Sequence, residues 1–431
     1  MSSSKKILIV TYYWPPSGGV GVQRWMNFAI QLKKRGWEPW ILTPENPQFE
    51  IRDEKLLEKV KDIPVVKVPI WEPFDLFHRI TGNKDKKNVQ QGLVMEKSQT
   101  SFTDRLVVWI RGNLLVPDPR VFWVRTAAKR AIELVKSEGF SAIITTGPPH
   151  SMHLIGKKVK KETDIKWLAD FRDPWSKWDV LDKLRTSSLV RSIHRKLERS
   201  VIENADVAIT VTKGFCEDLG GGLAIINNGV TVRHGKSEKL PSNKKFVIGH
   251  YGLLNELRNT SQLWQVLDQM CRENERFSEQ LELRIGGIVS ESIMTEIKKL
   301  RFLGERVVFL GYIPHSEIFY EYSKCDILLL LQNRSGQAPG ILPVKFFEYL
   351  TAHKMILTIG PRESDLGELI NKKDVGIILD SSEVGEIRAF IEDVYETNRK
   401  PNIDEINSLI EQFSHENLVV KLEDLLINGA S

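Results

Sequence analysis

Lys345 and Glu348 stand three positions apart in the run Gly340-Ile-Leu-Pro-Val-Lys-Phe-Phe-Glu-Tyr-Leu350. On a helix this spacing puts both side chains on one face. The preceding run, Cys325-Asp-Ile-Leu-Leu-Leu-Leu331, reads as a strand of a parallel sheet covered on both faces. Pro343 suits the first helical position, where a missing N–H costs nothing. A helix N-terminus and a nearby lysine favour phosphate. A glutamate one turn deeper can accept hydrogen bonds from both hydroxyls of a ribose. Diphosphate plus ribose describes a nucleoside diphosphate. The competing reading is a glutamate that complements the helix dipole beside a solvated lysine.

Other residues of chemical interest sit where strand signals end. His250-Tyr-Gly-Leu-Leu-Asn-Glu-Leu-Arg258-Asn259 offers Gly252 for close approach and Arg258 for bidentate contact with a diphosphate. Trp14-Pro-Pro-Ser-Gly-Gly-Val-Gly21 carries Gly18 and Gly19, whose spacing fits either an anion loop or a plain tight turn. Thr145-Thr-Gly-Pro-Pro-His150 brings His150 to a helix start, as catalyst or as structural histidine. Trp167-Leu-Ala-Asp-Phe-Arg-Asp-Pro-Trp175 packs Asp170, Arg172 and Asp173 between aromatics at a strand end. Charges there need partners, so they either serve a site or brace a loop. The chain has no Walker loop, HExxH, GxSxG or Asp-x-Asp.

The elements that must position these residues alternate strand and helix. Strands are expected at Ile7–Val10, Pro39–Thr43, Val65–Val68, Ala142–Thr145, Trp167–Ala169 and Val207–Val211. After a polar Gly/Pro stretch from Arg233 to Lys245 the pattern restarts, with strands at Phe246–Tyr251, Leu281–Ile285, Val307–Leu310, Ile327–Leu331, Met355–Ile359 and Gly376–Leu379. The pattern is α/β and doubly wound, with two domains whose strand ends would face a central cleft. The expected division is 1–235, 236–403 and a helical segment 404–431 packing back toward the first domain.

The 431 residues are too many for a single core. A net charge of +5 over this length gives no whole-chain argument for nucleic acid. Cys216, Cys271 and Cys325 are widely separated, odd in number and lack a CxxC pair, which fits reduced thiols and argues against a disulfide framework and a zinc site. No segment has the ~20 apolar residues that would span a bilayer, and Met1-Ser-Ser-Ser-Lys-Lys runs straight into a strand without a secretory signal. A cytoplasmic protein is expected.

The order Pro-x-Gly-Gly, Asn228-Gly-Val, Gly252-x6-Asn259, Phe309-Leu-Gly-Tyr and Lys345-x2-Glu348-Tyr resembles glycosyltransferase family 4 (group 1), of the GT-B fold. The likeness spans essentially the whole chain and is closest to a bacterial surface-polysaccharide branch with an Asp-Phe-Arg-Asp-Pro-Trp loop. It implies transfer of a hexosyl or N-acetylhexosaminyl group from a nucleotide sugar, with retention and without metal or other cofactor. It also implies that Glu348 holds the donor ribose, Arg258 binds the diphosphate, and Gly18 and Gly19 lie below the phosphates. Two departures stand out. Gly340 replaces the first glutamate of the family's Glu-x7-Glu motif, and Gly252-Leu253-Leu254 replaces its Gly-Arg-Leu, leaving Lys345 to supply the charge. The family's first-domain histidine is also unmatched; Asp170, Arg172 and Asp173 occupy that region, so these residues and His150 are the catalytic candidates.

The expected donor is a UDP sugar and the acceptor a glycan or lipid-linked sugar of the cell envelope, with no nucleic acid. Aromatics, aliphatics and arginines mix between Arg105 and Arg125, a composition suited to peripheral contact with the inner membrane. A UDP-sugar 2-epimerase and a non-catalytic nucleotide-sugar scaffold are the alternatives.

Overall fold

The computed structural model describes residues 5–49, 51–73, 102–231, 245–314, 317–333, 336 and 338–429. They divide into two compact units, one holding the described residues up to Gly229 and from His415 onward, the other running from Val230 to Ser414.

The first unit has a parallel sheet of β1 (Lys6–Val10), β2 (Glu38–Pro44), β3 (Val65–Val68), β4 (Ala142–Gly147), β5 (Lys166–Phe171), β6 (Val207–Thr210) and β7 (Ala224–Ile225). Their order is β3-β2-β1-β4-β5-β6-β7, which reverses direction between β1 and β4. Alternate residues of β1 serve opposite cores. Leu8 and Val10 join Trp123, Met152 and Trp167 on one face, while Ile7 and Ile9 join Trp25, Phe28 and Ile41 on the other. Two covered faces require the unbroken apolar runs seen in the sequence, because neither side of the strand meets water.

The second unit repeats the design with β8 (Phe246–Tyr251), β9 (Leu281–Gly286), β10 (Val307–Gly311), β11 (Ile327–Leu331), β12 (Met355–Ile359) and β13 (Gly376–Leu379) in the order β10-β9-β8-β11-β12-β13. Here Ile327, Leu329 and Leu331 face one core, and Leu328 and Leu330 the other. Both sheets have the strand order of doubly wound Rossmann-like domains.

Residues 404–431 do not stay together. Helix Ile403–Gln412 puts Ile406 and Leu409 into a core of the second unit. Helix His415–Asn428 puts Leu418, Val419, Leu422 and Leu426 into the first unit's core with Trp25 and Phe28. Glu423 fixes it there, accepting from Trp37 Nε1 at 2.9 Å and pairing with Arg35. Residues 233–244 of the expected linker lie outside the described residues.

All twelve expected strands form, most with ends shifted by one or two residues. The short edge strand β7 was not anticipated, since two residues carry no periodicity. Pro343 also differs from expectation. It is the N-cap, at φ −66° and ψ 137°, and helix Val344–Leu350 starts one residue later, after a short 3-10 turn at Ala338–Gly340. Pro343 fixes φ while its extended ψ keeps it outside the helix.

Candidate functional site

In the second unit the loops after β8, β11, β12 and β13 gather around one cavity of about 530 Å³. Gln332, Gly360 and Asp380, which line it, each directly follow one of those last three strands. Thr260 and Asn333 line it as well. The carboxyl ends of parallel strands are where open α/β sheets take their ligands.

Arg258 reaches this cavity through Asn333. Its Nε donates to Asn333 Oδ1 at 2.7 Å and its Nη1 to Leu253 O at 3.1 Å. Burial lowers its pKa, yet a guanidinium starts so high that it stays charged. Lys345 approaches from helix Val344–Leu350 and crosses directly over Gly252. A Cβ at Gly252 would fall 2.8 Å from Lys345 Cε, so only glycine leaves room for this crossing. Lys345 Nζ lies 3.8 Å from Glu348 Oε2, to which Tyr322 donates its hydroxyl at 3.0 Å. Burial pushes the Lys345 ammonium below its usual pKa and Arg258 adds to that, against the pull of Glu348. Two cations without a matching number of anions form a site short of negative charge. The helix spans two turns, so its dipole is small and the side chains supply most of the field. Gly252, Arg258, Lys345 and Glu348 thus gather in one unit.

The first-unit candidates separate into braces and one less constrained carboxylate. Asp170 on β5 is fully buried and surrounded by donors. Arg24 binds it through Nη2 at 2.9 Å and Nε at 3.2 Å, Trp25 Nε1 at 2.6 Å, and the Thr146 hydroxyl at 2.8 Å. Burial alone would raise the Asp170 pKa, but Arg24, with Arg172 and Trp25, holds it below the usual carboxylate range. Its oxygens are committed, which gives Asp170 the geometry of an ionised brace. Arg172 donates to three backbone carbonyls, Gly147 O at 3.2 Å, Gly21 O at 2.9 Å and Pro148 O at 2.5 Å, and so ties the start of helix Val20–Lys34 to the end of β4 and the turn after it.

Asp173, two residues beyond β5, accepts no hydrogen bond from the described residues. Burial pushes its carboxyl above the usual range, opposed by Arg172 and reinforced by Asp179 and Asp170. His150 stacks flat on Trp175, with ring centroids 5.1 Å apart and planes 2° apart. Neither of its buried ring nitrogens has a partner among the described residues, and burial holds its pKa well below normal, so the ring is neutral. Gly18 donates its N–H to Ile51 O at 2.9 Å, and a Cβ there would fall 2.7 Å from Ile51 Cγ2. Gly19 is the N-cap of helix Val20–Lys34 at φ 79°. In this arrangement the paired glycines build the turn, and the Gly18 amide is already used.

Sequence reasoning missed Arg24, Trp25 and Asp118. Asp118 holds Ser151 by its N–H and its hydroxyl, both at 2.8 Å, next to His150. Arg24 had a visible signal: it interrupts the apolar stripe of Val22, Trp25, Met26 and Ala29, and a charge inside such a stripe requires a buried partner. Among the described residues no group of three or more His, Cys, Asp or Glu could hold a metal ion, and no helix is long and apolar enough to cross a membrane.

No protein-family model and no curated protein matches the sequence. Solved structures do match along the whole length. Sucrose-phosphate synthase from Thermosynechococcus elongatus aligns with TM-score 0.63 at 12% identity, covering 97% of this chain and 98% of that one. WaaG, a glycosyltransferase involved in lipopolysaccharide biosynthesis, aligns with TM-score 0.55 at 12% identity over 98% of this chain and 100% of its own. A Listeria monocytogenes protein assigned as a UDP-N-acetylglucosamine 2-epimerase gives 0.55 at 11% identity over 98% and 96%. With its two doubly wound parallel sheets, the chain has the GT-B fold.

Proposed function

We propose that this protein transfers a sugar from a nucleoside diphosphate sugar, a UDP sugar, to a glycan or lipid-linked acceptor in bacterial surface-polysaccharide assembly. The observation that carries the reading is the convergence of Gly252, Arg258, Lys345 and Glu348 in the second unit, where Arg258 is bonded to Asn333 on the lining of the cavity at the ends of β11, β12 and β13. In this reading Arg258 and Lys345 neutralise the diphosphate, and Glu348 accepts the ribose hydroxyls. As the sugar–phosphate bond breaks, negative charge grows on the departing diphosphate. Fixed cations there stabilise the transition state more than the ground state. The two cations make a metal unnecessary, and the leaving phosphate can itself take the acceptor proton in a retaining front-face reaction. Asp173 is the first-unit carboxylate proposed to orient the acceptor. In this scheme the protein works in the cytoplasm, peripherally on the cytoplasmic face of the membrane.

The experiment is a screen of nucleotide sugars for protection against melting, followed by product analysis with acceptor present and absent. A second reading as a UDP-sugar 2-epimerase draws on the fold likeness to the Listeria protein. An epimerised nucleotide sugar formed without acceptor would select that reading. Binding without turnover would select a non-catalytic scaffold, for which Gly340 in place of a glutamate is the supporting observation.

A further inference from the structure

Gln332, which directly follows β11, lines the cavity of the second unit although the residue is only 6% exposed. Its Nε2 donates to Ile341 O at 3.1 Å. That bond fixes the amide, because the opposite orientation would set two carbonyl oxygens against each other. Oε1 is thereby aimed at Gly360, where a Cβ would fall 2.2 Å from it. Gly360 lines the same cavity, and its lack of a side chain is what leaves this oxygen room. Oε1 is buried and accepts no hydrogen bond from the described residues. A buried acceptor without a donor is costly, so one held in place on a cavity wall calls for a ligand or a water.

The rest of the wall discriminates between the parts of a nucleotide sugar. Among the described residues Asp380 is the only charged one that lines the cavity, so the lining holds no cation for a phosphate. No aromatic ring among them lines it to stack on a base. It offers instead the Gln332 oxygen, the Asp380 carboxylate, the Asn333 amide and the hydroxyls of Thr260 and Ser381. Thr260 precedes helix Ser261–Glu273 without capping it through its side chain. A saccharide suits such a wall, since its hydroxyls both donate and accept. The order of groups along the sheet agrees. Lys345, beside Glu348, crosses Gly252 after β8, and Arg258 spans from Leu253 to Asn333 on the cavity lining after β11. With the ribose on Glu348 and the diphosphate on Lys345 and Arg258, the next group in the direction of β12 and β13 is the sugar.

We infer that this cavity takes the transferred sugar, and that Gln332 Oε1 accepts a hydrogen bond from one of its hydroxyl or amide groups, which makes Gln332 a determinant of donor-sugar choice. The inference rests on the donor site proposed above. The test measures by calorimetry the binding of UDP, UDP-glucose, UDP-galactose and UDP-N-acetylglucosamine to the full chain and to Gln332→Met, which keeps the side chain's length and removes the acceptor. The UDP sugar that the wild type binds most tightly loses about five- to tenfold in affinity, the worth of one hydrogen bond, whereas UDP stays within about twofold. Gln332→Asn, which withdraws the oxygen by one methylene without adding apolar bulk, gives the same split. Unchanged affinity for every UDP sugar in both variants overturns the inference, because Oε1 is then merely solvated; the donor site stands, since UDP still binds. A loss as large for UDP as for the UDP sugars, in a variant that melts as the wild type does, also overturns it by putting the base in the cavity. A wild type that binds none of the four ligands would overturn the donor reading and this inference together.

Discussion

Tyr322 donates its hydroxyl to Glu348 Oε2 at 3.0 Å, the same oxygen that faces Lys345 Nζ at 3.8 Å. The carboxylate is thereby held in one orientation, between a neutral donor and a cation, before a ligand arrives. Such preorganisation reduces the ordering cost of binding. Glu348→Ala removes charge-assisted hydrogen bonds worth about 1.5–3 kcal/mol, so UDP affinity measured by calorimetry falls at least ~tenfold. Tyr322→Phe removes only the support of the carboxylate, so UDP affinity falls less than in Glu348→Ala. Unchanged UDP affinity in folded Glu348→Ala would sink the donor assignment.

Lys345 gives that site a pH dependence. Its folded pKa lies below the ordinary lysine value because burial and Arg258 disfavour the charged form more than Glu348 favours it. Diphosphate binding needs the protonated amine, so UDP affinity falls as pH rises through the lowered Lys345 pKa, before pH reaches the usual lysine value of about 10.4. Lys345→Arg keeps its charge and flattens that decline. An alkaline limb that is identical in both proteins would assign the titration to another group.

Transfer persists in excess EDTA, because Arg258 and Lys345 carry the charge that a divalent ion supplies elsewhere. Activity that vanishes in EDTA and returns with magnesium or manganese contradicts this electrostatic scheme. Arg258→Ala weakens UDP binding in the metal-free assay, whereas Arg258→Lys recovers part of it as a point charge without the bond to Asn333.

The sheets were legible because strands covered on both faces must be apolar throughout, as in Ile327–Leu331 and Phe246–Tyr251. The second-unit site was legible in part, since Lys345 and Glu348 are local to one helix and Gly252 and Arg258 to one loop. What the sequence hid depends on distant partners. Asp170 and Arg24 are 146 positions apart, and no local pattern pairs them.

Asp170 and Asp173 stand three positions apart, and exchanging each for asparagine separates bracing from chemistry. Asp170 has a folded pKa below its unfolded value, so its stabilisation is complete above about pH 3.9 and is lost as pH falls toward the folded value. Asp170→Asn leaves Arg24, 3% exposed, buried beside a neutral amide, an imbalance that costs about 3–5 kcal/mol. Urea denaturation at neutral pH then shows a lower midpoint with an unchanged slope. Asp173 has the opposite sign. Its folded pKa is raised, so its ionised form opposes folding above the unfolded pKa, and Asp173→Asn leaves the midpoint unchanged or higher. If Asp173 positions the acceptor hydroxyl, the same substitution lowers kcat by on the order of a hundredfold. UDP affinity stays within about twofold, a factor worth under 0.5 kcal/mol. The acidic limb of the rate profile, set by a carboxylate that must be ionised, lies above the ordinary aspartate value of about 3.9 and disappears in the variant. An Asp173→Asn protein that melts early and turns over normally would make Asp173 a second brace for Arg172 and leave the acceptor without a first-unit carboxylate.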